Sequence, residues 1–407
     1  MGWRKNFSMP YPGSRIKDLR VSARTSSFSF KGQQQDIREI GNKLNVATVL
    51  EGSVRKAGNR LRITAQLINV ADGYHLWSEK YDRELKDVFA IQDEIAGNIV
   101  RALRVMLSKS EKRTLEDSPT DSIEAYDYYL RGRKFFYESR VKSFDFARQM
   151  FTRATAIDPD YALAYAGLAD CSSWLYAYLG GKEENLKEAE QASRKALELD
   201  PELAEAHVAR GHALTLRQQY GEAEREFEIA LGLNPRLFEA YFFYGRACLV
   251  QGKREQAAQL FKQASEVRPE DIQAPSFLAT VYTGLGRGAE AKAARRRALD
   301  TIENHLELNP HDTRALYFGA GALVELGKRE EGLAWAKRAL EIEPDEPAVL
   351  YNVGCVYSLA GEIEDAIDCI EKVLGAGLSN RAWVENDSDL DPLRSHPRFQ
   401  ALLAKMK

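Results

Sequence analysis

The chain has 407 residues, of which 44% are hydrophobic and 29% are charged, and these fractions are typical of a folded protein and exclude an intrinsically disordered one. The formal net charge of −3 gives no general attraction to nucleic acid, so no nucleic-acid partner is expected. The sequence contains no run of about 18 apolar residues and no signal-peptide core, so membrane insertion is not expected either.

Residues 16–107 mix predicted helices and strands. The stretch KDLRVSART predicts a short strand, and QQDIREIGNKLN predicts a helix with Ile37, Ile40 and Leu44 on one face. VATVLEGSVRKAGNRLRITAQLINV predicts a hairpin around Ala57-Gly58-Asn59, because short alternating runs flank a turn signal. Its return strand should place one set of apolar side chains on a single face: Leu61, Ile63, Ala65 and Leu67.

The hairpin is followed by a third predicted strand and a long helix. GYHLWSEKYDREL predicts the strand, with Trp77 and Tyr81 on one face as core residues. DVFAIQDEIAGNIVRALRVML predicts an amphipathic helix. The polar stretch SKSEKRTLEDSPTDS, residues 108–122, then predicts a linker.

Three phrases of this front segment resemble the amino-terminal-domain-like module of TolB: RTSSFSFKG, VLEGSVRKAGNRLRITAQLI and YHLWSEKYDRELKDVFAIQDEIA. The resemblance implies a small α/β module, which in many bacterial proteins precedes an array of helical repeats. Some of those relatives carry a nucleotide cyclase, a winged-helix regulator or a protein kinase further upstream. Relatives also begin with a strand of the V-A-V-L-P-F type and a first helix, which residues 1–15 do not match, so the module is expected to be incomplete.

The atypical residues 1–15 support a hypothesis about the gene: its start is frameshifted or misassigned. As encoded, the chain is expected in the cytoplasm, whereas a longer true N-terminus would make it periplasmic or membrane-tethered. A module without its first strand and helix exposes a sheet edge and an apolar face. A partner that covers this edge is therefore expected.

A regular repeat follows the linker. Pro201, Pro235 and Pro269 are each 34 residues apart, and Pro310 and Pro344 repeat the interval. In YGEAEREFEIALGLNP and REQAAQLFKQASEVRP, alanines lie five and twelve residues before the proline and a phenylalanine lies eight before it. Small alanines let two helices approach closely, the phenylalanine fills the space beside them, and the proline cannot continue the preceding helix.

These residues resemble the tetratricopeptide repeat over residues 123–378, about seven units, and residues 379–407 resemble the cap that closes such arrays. The predicted fold class is mainly α: an α–α superhelix of about seven helical pairs, preceded by the small, incomplete α/β module. The resemblance implies a right-handed superhelix whose concave wall is lined by the first helix of each unit.

Several details of the units are predicted as well. Glycines between the two helices of a unit should end the first helix in a left-handed conformation: Gly221, Gly252, Gly286, Gly327 and Gly361. The unit at 162–201 should have a longer inter-helix loop, and the unit at 272–310 a second helix about two turns longer. Gly332 and Ala336 replace larger residues and predict looser packing.

No catalytic residue, metal site or cofactor is predicted, since no G-x-x-x-x-G-K-[ST], H-E-x-x-H or G-x-S-x-G motif occurs. GLGRG at 284–288 is interpreted as a turn. Asp387, Asp389 and Asp391 are spaced like the start of a calcium loop, but the glycine and glutamate of that loop are replaced, so an acidic cap segment is favoured.

The cysteines and a basic cluster receive structural interpretations. Four scattered cysteines are predicted to be small core residues in a reducing compartment, with a Cys355–Cys369 pair left open: Cys171, Cys248, Cys355 and Cys369. A basic cluster is predicted to be a solvated outer face, with an anion or nucleic-acid contact as the alternative: Lys292, Arg295, Arg296 and Arg297.

The expected function is a non-catalytic scaffold that binds a protein or peptide in the concave groove. First-helix positions nominate the wall: Val208, His212, Phe242, Arg246, Ser276, Thr280, Tyr317 and Tyr351. For Phe242 and Tyr351, packing between repeats stays an equal alternative. The alternative function is a detached sensory or regulatory half of a bacterial signalling protein, whose effector domain is absent from this chain.

Overall fold

The computed structural model describes residues 27, 30, 35–84, 88–103, 120–178, 181–376 and 381–406. They divide into two compact units, Met1–Leu130 and Arg131–Lys407. Residues 1–15, the predicted strand KDLRVSART and most of the linker 108–122 lie outside the described residues.

The first unit contains a three-stranded antiparallel sheet in the order β1-β2-β3. Its elements are α1 (Ile37–Lys43), β1 (Thr48–Ala57), β2 (Arg60–Asn69), β3 (His75–Glu84) and α2 (Val88–Ala102). Only Gly58 and Asn59 separate β1 from β2, and Gly58 has a φ of 58°, which this tight hairpin turn requires and which glycine adopts without steric cost. The predicted hairpin, third strand and following helix are confirmed.

One face of this sheet packs against α2. Tyr81, opposite Ile63 in the strand register, is 1% exposed and packs with Ile91 and Ile95 of the helix. Its hydroxyl donates to Glu79 Oε2 at 2.9 Å, and burial raises the pKa of Tyr81 to about 12. The predicted apolar face of β2 is buried, Trp77 packs on its edge, and the core role expected of Trp77 and Tyr81 is confirmed.

From residue 120 to residue 376, the described residues form fourteen helices in seven pairs, and the division between the two units falls inside the first pair. In chain order the pairs are α3 (Ile123–Phe136) and α4 (Val141–Ile157), α5 (Ala162–Tyr178) and α6 (Glu183–Leu199), α7 (Ala204–Leu216) and α8 (Tyr220–Leu233), α9 (Phe238–Val250) and α10 (Arg254–Val267), α11 (Gln273–Gly284) and α12 (Gly288–Leu308), α13 (Thr313–Glu325) and α14 (Arg329–Ile342), and α15 (Pro347–Ala360) and α16 (Ile363–Gly375). First helices of neighbouring units pack on one another, as α5 does on α7 and α7 on α9. The predicted superhelix of about seven helical pairs is confirmed.

Each turn inside a pair contains a residue with positive φ, but not always the predicted one. Gly252, Gly286, Gly327 and Gly361 have φ between 71° and 88°, as expected. Gly221 instead lies within α8, and Gln218, with a φ of 62°, takes the left-handed position in that unit. The prediction for Gly221 is therefore wrong.

A contact that the period did not reveal recurs inside the pairs. A glycine of the first helix faces an aromatic ring of the second, and a Cβ on that glycine would lie 2.5–2.9 Å from the ring in the pairs Gly132–Phe151, Gly211–Phe227, Gly245–Phe261 and Gly319–Trp335. Side-chain carbons do not approach that closely, so the ring can reach the backbone of the first helix only where glycine stands there. Phe227 and Phe261, the phenylalanines of the predicted repeat, are fully buried, and so is Phe151.

The irregular units differ from expectation in two of three cases. The extra residues of α12 make it 21 residues long against 14 in α10, which confirms the longer helix. In the unit at 162–201 the extra residues lengthen both helices, each 17 residues long, against 13 and 14 residues in α7 and α8. Gly332 packs tightly, because a Cβ there would lie 2.7 Å from the Ala320 carbonyl oxygen, so the prediction of looser packing is wrong.

The chain ends in a cap formed by α17 (Arg381–Asn386), a 3₁₀ helix (Ser388–Leu393) and α18 (Pro397–Lys405). All four cysteines are buried and free, including Cys355 and Cys369, in agreement with the core role predicted for them. Among the described helices, none combines the length and apolar character needed to cross a bilayer.

Candidate functional site: the wall of first helices

The eight residues predicted to line the concave wall lie on five first helices. Five of them are buried: Val208 and His212 on α7, Phe242 on α9, Tyr317 on α13 and Tyr351 on α15. Three are half-buried: Arg246 on α9, and Ser276 and Thr280 on α11. Val208 belongs to the apolar core between repeats, and the Ser276 hydroxyl donates to the Ile272 carbonyl of its own helix at 2.7 Å. The predicted binding role of the eight residues stays a prediction.

Arg246 lies at the centre of the wall, surrounded by aromatic rings. Its guanidinium carbon is 4.9 Å from the ring centroid of Trp174, 5.8 Å from Phe242, 5.7 Å from Phe277 and 4.4 Å from Trp383. All these distances lie within the range of cation–π attraction. Burial lowers the pKa of Arg246, but arginine stays charged, so the wall presents one cation inside an aromatic cage.

His212 is packed against the same cage in its neutral form. Its ring stacks on Phe243 at 4.5 Å and meets Trp174 edge-on at 5.6 Å. Burial, and then the charge of Arg246, lower the pKa of His212 to about 3, and its Nδ1 is buried without a hydrogen-bond partner. At neutral pH this imidazole is an uncharged wall residue.

The wall is covered by a segment of the same chain, residues 381–393, which we call the C-terminal strap. α17 of the strap packs on α9, and the 3₁₀ helix packs on α11 and α15. Trp383 supplies the fourth ring around Arg246 and meets Phe277 edge-on at 5.8 Å. The structure therefore places a short segment with aromatic and acidic residues where the sequence predicted a peptide groove.

The acidic part of the strap is held by hydroxyl groups of the wall. The Tyr351 hydroxyl donates to Asp387 Oδ2 at 2.7 Å, and the Thr280 hydroxyl lies 3.5 Å from Asp389 Oδ2. Burial raises the pKa of both carboxyl groups, and the neighbouring Asp387 raises that of Asp389 further. Asp387 also accepts from the Asp389 amide at 3.1 Å and so caps the 3₁₀ helix.

The aspartates of the strap are not arranged as the start of a calcium loop. Asp391 turns away to pair with Arg394 at 2.6 Å, whereas ligand atoms of Cys355, Asp387 and Asp389 lie within 4.8 Å of one another. Hydrogen bonds explain this grouping, since the Cys355 thiol lies 3.8 Å from Asp387 Oδ2 and shares that oxygen with Tyr351. The acidic cap segment favoured from the sequence fits this arrangement.

The first repeat of the array contacts the last two. Arg140 Nε lies 2.5 Å from Glu343 Oε1, and the Val141 amide donates to Glu346 Oε1 at 2.9 Å. Arg314 Nη1 donates to the Ser139 hydroxyl at 2.9 Å. These closure contacts join the turn between α3 and α4 to the units that contain α13, α14 and α15, so the wall curves back on itself.

The basic cluster on α12 is only partly a solvated face. Lys292, Arg296 and Arg297 are exposed, as predicted. Arg295 is 6% exposed and forms hydrogen bonds and an ion pair with Glu325 and a hydrogen bond with Thr283. The prediction for Arg295 is therefore wrong, because a buried arginine here ties the second helix of one unit to the first helix of the next.

Sequence reasoning missed Trp174, Tyr178 and Trp383, which complete the surroundings of Arg246. Trp174 stacks on Tyr178 at 5.6 Å, and Tyr178 is close enough to Arg246 to influence its pKa. The spacing of Trp174 and Tyr178, four residues apart near the end of a first helix, was the available signal. Trp383 lies outside the repeat period, and nothing in that period placed it on the wall.

Comparisons with known proteins identify the helical pairs. Models described as tetratricopeptide repeat match residues 209–275, and also 172–203 and 347–376. The helical pairs within these ranges match the tetratricopeptide repeat, as the sequence predicted. The TolB-like resemblance of the front segment rests on its sequence, and the small sheet agrees with it.

A curated relative, named putative adenylate cyclase 3 of Rhizobium meliloti (strain 1021), is 39% identical over 211 residues. The match covers 51% of this chain and 36% of the relative, so this chain spans about a third of that relative's length.

Three solved structures illustrate the similarity in fold. A thermophilic tetratricopeptide-repeat protein of Thermus thermophilus has a TM-score of 0.38 at 20% identity and covers 47% of this chain and 98% of its own. YrrB has a TM-score of 0.31 at 22% identity and covers 53% of this chain and 97% of its own. The matched chain of the Cut9–Hcn1 complex has a TM-score of 0.47 at 17% identity and covers 73% of this chain and 59% of its own.

Proposed function

We propose that this chain is a non-catalytic protein-interaction scaffold that holds a peptide segment of a partner protein on the wall of first helices. The tetratricopeptide fold supports a scaffold in general terms. The observation that carries the finer statement is the strap, because the wall already holds a short segment through Arg246 and Tyr351. A surface with a caged cation and buried hydroxyl donors suits a peptide segment that is extended or contains a single helical turn.

The test is capture of a partner by the full chain, compared with two matched variants. Arg246→Met removes the caged charge at similar volume, whereas Arg296→Met removes an exposed charge on α12. We expect the first variant to lose at least tenfold in the amount of partner recovered and identified by mass spectrometry, and the second to match the wild type. Equal recovery by all three proteins would contradict binding at the wall.

Arg246→Met is a more informative change than Phe242→Ala. Phe242 is 4% exposed and packs on Phe238 and Phe277, so its truncation would cost about 3–5 kcal/mol of stability and confuse folding with binding. Arg246 is half-buried, and its replacement by methionine keeps the cage filled.

A second candidate function is favoured by the curated relative. The 39% identity to a protein named putative adenylate cyclase supports a regulatory half of a signalling protein whose effector lies outside this chain. Sequencing of the genomic DNA upstream of Met1 tests it. An in-frame cyclase, winged-helix or kinase domain is the expected result, and its absence in every frame would remove this candidate.

A further inference from the structure

We propose that the C-terminal strap is a ligand of the wall in cis, and that the partner is a peptide of the same chemistry: an aromatic residue followed by carboxylates four and six residues later. In the strap these are Trp383, Asp387 and Asp389. The inference rests on the proposed function and specifies its partner.

The strap has an apolar half that fastens it to the last repeat. Val384, Leu390 and Leu393 are fully buried in one cluster with residues of α15 and α16, among them Leu350 and Ile370. This half is continuous with the core of the cap, since the same cluster includes residues of α18. Burial of these side chains favours a strap that stays attached to its own array.

The other half of the strap reaches across to α9 and α11 through weaker contacts. Asn386 Nδ2 lies 3.3 Å from the Val250 carbonyl oxygen, and the Ser388 hydroxyl lies 3.3 Å from the Thr280 carbonyl oxygen. With the 3.5 Å contact between Thr280 and Asp389, these are longer than most hydrogen bonds of their type. The cation–π contact of Trp383 with Arg246 is the best-formed contact of the strap with α9.

Of the two buried carboxyl groups of the strap, that of Asp389 is poorly accommodated. Burial raises the pKa of Asp387 and Asp389, so their ionised forms are disfavoured where they lie. Asp389 Oδ1 is buried and has no hydrogen-bond partner. A separate peptide is free of the covalent link to the last repeat, so its carboxyl groups are not constrained to these positions.

The chemistry of the partner follows from these wall groups. Trp174, Phe242 and Phe277 surround Arg246 on all sides but one. Trp383 occupies the remaining side, which fits one flat ring. The hydroxyl groups of Tyr351 and Thr280 are donors for carboxylate oxygens. An acidic peptide with a leading aromatic residue satisfies both features together.

The experiment uses the full chain and a fluorescein-labelled peptide with the sequence of residues 381–394, RAWVENDSDLDPLR. Trp383→Ala removes the ring of the strap from Arg246 and vacates that position. We expect fluorescence anisotropy to show at least tenfold tighter binding to this variant than to the wild type. Phe146→Ala, which removes a half-exposed ring on α4, is the matched control and should bind like the wild type.

Two further arms assign the binding to the wall. Adding Arg246→Met to the Trp383→Ala chain should abolish the gain, and a peptide with alanine in place of its tryptophan should show none. Equal affinity of the wild type and Trp383→Ala, or a gain that survives Arg246→Met, would overturn the proposal.

A measurement on the wild type covers the case in which Trp383→Ala does not fold. Excess peptide should accelerate hydrogen exchange of the amides of residues 381–386, because a displaced strap loses its contacts with α9. Unchanged exchange at saturating peptide would overturn the proposal. If Arg246-dependent partner capture persists while the peptide arms fail, the scaffold stands and this ligand chemistry falls; if capture fails as well, both fall.

Discussion

Asp170 on α5 carries a carboxyl group into the packed part of the array. Burial raises its pKa to about 7, against the opposing charge of Arg133 and with a further increase from Glu239 and Glu205. Its Oδ1 is buried and accepts no hydrogen bond. A group of this kind makes the stability of the fold depend on pH even though it has no assigned role in binding.

The sign of that dependence follows from the direction of the shift. Because the pKa of Asp170 rises from 3.8 to about 7 on folding, the folded chain binds the proton more tightly, and its free energy of unfolding falls as pH increases between these values. Asp170→Asn removes the dependence. Between pH 4 and pH 8, the free energy of unfolding of the variant should increase by about 2 kcal/mol relative to that of the wild type. The full pKa shift without solvent screening would correspond to about 4 kcal/mol.

Urea unfolding of both proteins at the two pH values measures this gain. Asp300→Asn, at an exposed position of α12, serves as the control. Its free energy of unfolding should change between pH 4 and pH 8 by the same amount as that of the wild type. A wild-type-to-Asp170→Asn difference that is the same at pH 4 and pH 8 would contradict the interpretation.

At the scale of the element, the glycine-to-ring contact inside the helical pairs sets how closely the helices approach. Gly245 on α9 admits the Phe261 ring of α10, since a Cβ there would lie 2.9 Å from the nearest ring carbon. The proline register, the alanines and the phenylalanines predicted both helices of this pair but not the role of Gly245. Glycine at such a position leaves no apolar signal of its own in the repeat.

Gly245→Ala should therefore destabilise the chain by about 1–3 kcal/mol, because the ring must move out of a closely packed contact. Gly232→Ala is the matched control: Gly232 also lies in a helix, α8, and a Cβ there meets nothing within 4 Å. This control should be neutral or stabilise by up to about 1 kcal/mol through helix propensity. Urea midpoints that shift equally for the two variants would contradict the steric explanation.

At the scale of the whole array, local period and long-range curvature carry different information. The seven pairs, the longer α12 and most of the turn glycines follow from residues close in sequence, and these features were predicted. The meeting of Trp383 with Arg246, and of Arg140 with Glu343, depends on small rotations added over several units. The repeat pattern in the sequence does not specify the total rotation along the array. Neither the strap nor the closure contacts could therefore be predicted from it.

The closure contacts have a measurable effect on the ends of the array. Arg140→Ala removes the ion pair with Glu343, and because the Arg140 side chain is 47% exposed, the loss of global stability should be about 1 kcal/mol or less. Hydrogen exchange should nevertheless accelerate in the α3–α4 turn and at the start of α15, and not in α9. Arg153→Ala, on the exposed side of α4, is the control. Exchange that is unchanged in the turn, or faster throughout, would contradict a local closure.

The closure contacts join residues that are synthesised at very different times, so they can form only late in synthesis. The amide of Val141 finds its acceptor on Glu346, 205 residues later in the sequence. At the usual ribosomal rates of about 5–20 residues per second, the first repeat leaves the tunnel about 10–40 s before that acceptor exists. During this interval the early repeats have an open end, so the unpaired side of the first repeat is exposed to aggregation until the later repeats emerge.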